Sequence, residues 1–440
     1  MAINATPGVA RNVGTTAVGL SELEQRALRK AAWRLIPLLA LAYFFNYLDR
    51  TSVGFAALTM NKDLGLTATQ FGWGAGVMFF GYCLFEVPSN LAMYRFGARR
   101  WMARIMITWG IAAAATALAV GPNSFYLIRS ILGIAEAGFF PGVIFYLSTW
   151  FPPQYRTRVL TWFTLAVPLS SLIGGPVSTA LLQVDGWLGM KGWQWMFIIE
   201  GLPACLLGFV TLKILADKPA DAKWLTKEEC MALQKMAAGD NATKQAKNSL
   251  GPALKDVRIY ILGLITFSFT IGSYGIGIWL PQILKGHGLS TMTTGWVSAI
   301  PYFFVAIGML LWARRVDKSG RRILNLAVAC ILSGLGLIFS IAFDQLVPAL
   351  VGITLALVGT NAARSIFYTI PSRFLSGQAA AGGIALINTM GAMGGFVGPY
   401  LVGYLKDATG SFKAGMIGMA VVLAIATLLT FSLQYFMRDE

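Results

Sequence analysis

Five ionisable side chains stand inside stretches of this chain that are otherwise apolar: Asp49, Arg50, Arg129, Glu136 and Arg364. A charge at the centre of a bilayer costs about 2.5–3.5 kcal/mol on insertion scales, so five facing lipid would cost on the order of 15 kcal/mol. They must face one another, water or a ligand. Two acids against three arginines leave a net positive cavity when both acids are ionised, and an anion would complete the balance. Arg50 suits a substrate carboxylate, because a guanidinium matches a carboxylate with two parallel hydrogen bonds and stays charged, and Arg129 is a further substrate-binding candidate. Glu136, in "RSILGIAEAGFF", follows Arg129 by seven residues, two turns along one helical face. Opposing influences of burial and a nearby arginine make its proton easy to move. Neighbours on a helix point about 100° apart, so Asp49 and Arg50 need not pair, and can serve a proton path and a substrate cavity respectively. Arg364, in "TNAARSIFYTIP", reads either as an arginine reaching toward the nearer membrane face or as a second anion contact, which would favour a diacid or a ring-bearing acid.

The elements that must hold these residues are membrane helices. The chain has 440 residues, 56% of them hydrophobic and 12% charged, with a mean hydropathy of +0.64; a soluble domain carries about twice that charged fraction. Apolar runs of spanning length recur near 31–58, 68–92, 98–120, 124–150, 157–183, 193–215, 257–283, 291–313, 322–343, 346–371, 380–405 and 413–436. The expected fold is an all-α membrane protein of 12 transmembrane helices. Its parts are a segment at 1–30, a six-helix bundle at 31–215, a linker with an amphipathic helix at 216–256 and a second bundle at 257–437. No cleavable signal peptide is expected, since the first apolar run is too long for one.

Basic residues place both termini in the cytoplasm. Of the 35 Lys and Arg, five fall in the expected outside loops and three within spans, which leaves 27 on the inside. That bias absorbs the net charge of +16 and argues against a nucleic-acid partner. The linker carries Thr226 and Glu229 at capping-box spacing. The cysteines (Cys83, Cys205, Cys230, Cys330) are scattered, with neither disulfide nor metal spacing. No nucleophile–base–acid set, metal cluster or phosphate loop suggests an enzyme.

The halves repeat. "YRFGARR" at 94–100 and "DKSGRRI" at 317–323 are offset by 223 residues, and so are "GGP" at 174–176 and "VGP" at 397–399. Two pseudo-symmetric six-helix bundles point to alternating access around a site between them. Tyr47, Tyr82, Tyr274, Ser365, Tyr368 and Asn388 are pocket candidates, with hydroxyls and an amide for a hydroxylated acid and rings for its carbon frame. Glu86 is expected in the loop ion-pair network, Glu200 in a helix contact and His287 on the surface.

These motifs resemble the major facilitator superfamily, whose cytoplasmic loop signature is close to "DKSGRR". The resemblance implies a gate of Arg95, Arg99, Asp317 and Arg321, with Tyr94 standing where the first-half acid is usual. "FFNYLDRTSVGFA", "GYCLFEVPSNLAM", "IRSILGIAEAGFFPGVIFYLSTWFP", "WQWMFIIEGLPA" and "GIALINTMGAMGGFVGPYLVGYLKDATG" resemble the anion:cation symporter family in particular, from about residue 30 to 437. That family includes bacterial galactonate, glucarate, hexuronate, tartrate and aromatic-acid permeases, and the animal sialin and vesicular glutamate transporters. The resemblance implies proton-coupled uptake of a small organic anion through a bacterial inner membrane, by a monomer, with Glu136 and then Asp49 as proton-coupling residues and no cofactor besides protons. An anion exchanger or efflux antiporter on the same scaffold is the alternative, with a non-transporting receptor for a sugar acid a distant third.

Overall fold

A computed structural model describes residues 21–238, 255–371 and 377–436. The first half holds α1 (Glu22–Asp63), α2 (Ala68–Phe96), α3 (Ala98–Ala115), α4 (Pro122–Glu136), α5 (Phe139–Trp150), α6 (Pro153–Thr164), α7 (Ala166–Leu181) and α8 (Gly192–Ile214). The linker contributes α9 (Lys227–Ala238). The second half holds α10 (Val257–Lys285), α11 (Thr291–Ser319), α12 (Arg322–Ala342), α13 (Leu346–Phe367), α14 (Gly377–Thr409) and α15 (Phe412–Phe436).

Eleven candidate spans among the described residues are long and apolar enough to cross a membrane. The helix α2 is not one of them although it runs 29 residues. Glycines 72, 74, 76 and 81 and a polar last turn dilute its hydropathy. Leu84, Val87, Leu91, Ile111, Leu206, Leu310, Val347 and Leu428 are among many large apolar side chains left exposed on the outer surface, as lipid contact requires.

Local chemistry sets the helix starts. Ser21 with Glu24 and Thr67 with Gln70 form capping boxes at α1 and α2, and Asp256 and Ser290 cap α10 and α11. One expected span is broken. Between α4 and α5, Ala137 is extended and Gly138 has φ 87°, a left-handed conformation that glycine adopts without strain. The break falls immediately after Glu136. At membrane depth, backbone freed in this way is tolerated where it lies against protein or a water-filled cavity.

The halves meet along three helix pairs: α1 with α10, α2 with α14, and α7 with α11. The repeat exchanges the second and third pairs with each other. Their tightest contacts lie toward the end carrying the sparsely charged loops. Gly54 faces the Ile278 carbonyl, Gly72 that of Pro399, Gly175 that of Gly295 and Gly403 that of Ala68, and a side chain at any of them would collide with backbone. At the same end Asp407 of α14 accepts hydrogen bonds from Ala68 N at 3.2 Å, Thr69 N at 2.7 Å and Thr69 Oγ1 at 2.6 Å. The two backbone N–H groups are orphan donors at the start of α2, so one half caps a helix of the other.

At the basic end the described contacts stay within a half. The Arg99 backbone N–H donates to Asp217 Oδ1 at 2.8 Å, and Arg95 lies over its neighbour Phe96. Arg321 is the N-cap of α12, and the Asp317 side chain lies outside the described residues. The expected gate depends on Asp317 and so falls partly outside the described side chains, and Asp217 stands beside the first-half loop that lacks its own acid. The linker helix docks on the first half. Glu229, fully buried, accepts from Arg26 Nε at 2.8 Å and from Lys30 Nζ at 2.8 and 3.0 Å, and closes a capping box with Thr226. Trp224 stacks on Trp150 beside it, under Arg34.

Candidate functional site

The centre of the molecule is built around Arg50 on α1. Its Nε donates to Glu136 Oε1 at 2.6 Å and Nη2 contacts the same oxygen. Its Nη1 donates to the Tyr274 hydroxyl at 3.1 Å, from the opposite half. The guanidinium lies over the rings of Phe79 and Tyr82, with its carbon 5.6 and 5.2 Å from their centroids, positions where ring quadrupoles favour a cation. Tyr274 stands between two arginines, because Arg364 of α13 lies 5.8 Å from its ring centroid. Tyr47 completes the group, 6.5 Å from the Tyr274 ring, and Arg364 acts on it directly. Two cations are thus held within one aromatic cluster, one of them already engaged by a carboxylate.

Asp49 points elsewhere. It is 2% exposed and lies with Arg129, itself 1% exposed, inside the first bundle; among charged groups Arg129 acts on it most strongly, ahead of Glu136. The three guanidinium nitrogens of Arg129, Asp49 Oδ2 and Glu136 Oε2 are buried without hydrogen-bond partners among the described residues. Adjacent positions on one helix therefore serve two compartments. Arg50 faces the seam between halves, Asp49 faces the bundle core, and Glu136 at the helix break touches both.

The remaining expected residues divide. Arg129, expected at the substrate, is instead in the bundle core with Asp49. Ser365 spends its hydroxyl on the Ala362 carbonyl at 2.8 Å. Tyr368 is half exposed beside Phe367, with Arg364 the cation acting on it. Asn388 keeps a buried Oδ1 with no partner, an acceptor available to a hydroxyl. Glu86, expected among the loop charges, instead has Arg50 as the cation acting on it and influences Tyr82 and Tyr368. Glu200 makes the expected helix contact, accepting from Ser178 at 2.7 Å.

Two members of the cluster escaped the sequence reading. Phe79 packs its ring 4.5 Å from Tyr274, and nothing in an apolar "VMFFGY" run marks it. Tyr43 lies 6.5 Å from Tyr47, and their spacing of four residues on one helix was a readable signal. The described residues hold no group of three or more His, Cys, Asp or Glu able to bind a metal.

Two pseudo-symmetric helical halves sealed at one end, with buried charges at their seam, define a membrane transporter of the alternating-access class. The chain belongs to the Major Facilitator Superfamily, whose sequence profile matches residues 39–399 and 262–439. It is 48% identical over 93% of its length, and 95% of the relative's, to an Agrobacterium vitis protein named a tartrate transporter. It is 40% identical over 93% of its length, and 95% of the relative's, to a quinolone resistance transporter of Acinetobacter baumannii. The fold is similar to that of a D-xylose–proton symporter, at a TM-score of 0.74 and 15% identity, covering 91% of this chain and 97% of that one.

Proposed function

We propose that this chain is a proton-coupled symporter that takes up a small hydroxylated dicarboxylate of the tartrate type. The observation that carries the reading is the engagement of Arg50 by Glu136 at the seam of the halves. One cation cannot serve an internal carboxylate and a substrate carboxylate equally well. A proton on Glu136 removes its negative charge and frees Arg50 for the substrate, so proton and anion bind together and leave together. Arg364 on the opposite half takes the second carboxylate, and Tyr47, Tyr274 and Asn388 offer hydrogen bonds to the hydroxyls. The relative named for tartrate, nearly full length at 48% identity, supports the substrate class.

In this reading α2 completes twelve spans, the basic loops and both termini face the cytoplasm of a bacterium, and the protein works as a monomer in the inner membrane without a cofactor. The seal of Gly54, Gly72, Gly175 and Asp407 then closes the outer end, leaving the site open inward. A second reading, efflux or anion exchange on the same scaffold, is favoured by the relative named for quinolone resistance. Liposomes holding a pH-sensitive dye separate the two. Lumen acidification on adding tartrate supports symport, whereas entry only against preloaded anion, with no pH signal, refutes it.

A further inference from the structure

Glu200 of α8 is a buried carboxyl that the site above does not use. It is 3% exposed, lies in no ion pair among the described residues, and keeps Oε2 buried with no hydrogen-bond partner. The groups facing it are few. Ser178 of α7 donates to Oε1 at 2.7 Å, and Asp49 and Ser52 of α1 act on it from the other side. Next to it, Gly201 lets α8 approach α3 so closely that a side chain there would collide with the backbone of Gly110 and Ala114. Two carboxyls, Glu200 and Asp49, therefore share a buried core with Arg129, and all three keep polar atoms with no hydrogen-bond partner among the described residues. Such groups are normally paired in a folded interior, so a set of them in one place calls for a purpose.

Depth supplies one. Glu200 lies eight residues from the start of α8 at Gly192, about 12 Å at 1.5 Å per residue, while Asp49 lies fourteen from the end of α1 at Asp63, about 21 Å. Ser178 is three residues from the end of α7 at that same loop face. The order from that face inward is Ser178, Glu200, then Asp49 and Glu136, the last fourteen residues from the start of α4 at Pro122, with Arg129 seven residues from that start, about 10 Å, on the outer side of Asp49. All of it runs inside the first bundle, behind the seam that Gly54 and Gly175 close against the second half.

We infer that Glu200 is a proton-carrying residue, the outer step of a route through the first bundle that reaches Asp49 and Glu136 without entering the substrate cavity. The inference rests on the symport reading and adds to it a separate path for the proton. A carboxyl there accepts a proton from the outer side and passes it to the Asp49 carboxylate, and the Ser178 hydroxyl keeps its hydrogen bond to Oε1 in either state. Protons then reach Glu136 while the outer seal excludes the anion.

The test compares proton-driven tartrate uptake with tartrate counterflow in proteoliposomes of wild type, Glu200→Gln and Glu200→Asp. Wild type must first acidify the lumen; if it does not, the symport reading fails and the inference falls with it. Given that signal, Glu200→Gln is expected to slow proton-driven uptake about 100-fold, the scale of losing one proton-transfer group, with counterflow unchanged and Glu200→Asp partly restored. Uptake equal to wild type overturns the inference, and so does parallel loss of uptake and counterflow, which is what a purely structural contact would give. Should Glu200→Gln fail to fold, a hydrophobic carbodiimide on the wild type supplies the second arm. Labelling of Glu200 that falls as the pH rises supports the route, and absence of labelling at every pH refutes it.

Discussion

Replacing Asp407 by alanine should tip the transporter toward a form open at the end that its contact holds shut. Asp407 stands on α14 of the second half, yet its carboxylate accepts three hydrogen bonds from Ala68 and Thr69 at the amino end of α2 in the first. Two of the donors are backbone N–H groups that the capping box of Thr67 and Gln70 leaves over. Removing a side-chain cap costs about 1 kcal/mol, and the loss of a negative charge at a helix amino terminus adds about 0.3–1 kcal/mol at an exposed site. The outer seal should therefore weaken by about 1–2 kcal/mol, a roughly 5- to 30-fold shift in the open-to-closed ratio. The exposed side chains Lys62 and Lys285, in the last turns of α1 and α10 in opposite halves, can each be replaced by a spin-labelled cysteine and the distance distribution measured by pulsed electron resonance. The long-distance population should rise by that factor in Asp407→Ala and by less in Asp407→Asn, which keeps an uncharged acceptor. An unchanged distribution would refute the reasoning that this contact holds the end shut.

Arg364→Gln should weaken binding of dicarboxylates about 10- to 100-fold while barely moving that of monocarboxylates, since one charge-assisted hydrogen-bonded contact is worth about 1.5–3 kcal/mol; isothermal titration with tartrate and lactate gives both numbers, and equal losses would mean that Arg364 is structural. The Lys30 hydrogen bond first, then the Thr226 backbone N–H and Arg26, hold the Glu229 carboxyl below its usual range. A carboxyl with a depressed folded value stabilises docking at and above the ordinary carboxylate range, and the contribution is lost as pH falls through the depressed value. Protection of α9 from hydrogen exchange, corrected for intrinsic rates, should hold from neutral pH down to about 5 and drop below about 4. Glu229→Gln should show the low-pH behaviour at pH 7, and protection indifferent to both changes would refute the clamp.

Much of the architecture was legible because membrane spans declare themselves by length and hydropathy, and because the 223-residue offset ties two unrelated motifs together. That Asp49 and Arg50 diverge also follows from helix geometry alone. What stayed hidden depended on tertiary placement. The break after Glu136 is invisible to a hydropathy window, since Ala137 and Gly138 read as span residues; only the backbone of Gly138 reveals it. Arg129 was read as a substrate ligand because charge counting cannot separate a bundle core from the seam between bundles. Nothing in the sequence marks Asp217 and Asp407, whose roles appear only when helix starts from distant parts of the chain arrive beside them. Nearness to Pro88 in sequence points Glu86 toward the loops, whereas in the fold Arg50 is the cation that acts on it.

The central claim is that Glu136 and the substrate compete for Arg50 and that a proton decides between them. The most direct measurement is tartrate uptake into liposomes that hold a pH-sensitive dye, with wild type beside Glu136→Gln. The account predicts acidification that accompanies uptake in the wild type. In Glu136→Gln, whose permanently neutral side chain leaves Arg50 free, tartrate should still exchange across the membrane but carry no proton. Uptake that acidifies the lumen equally in both proteins would contradict it.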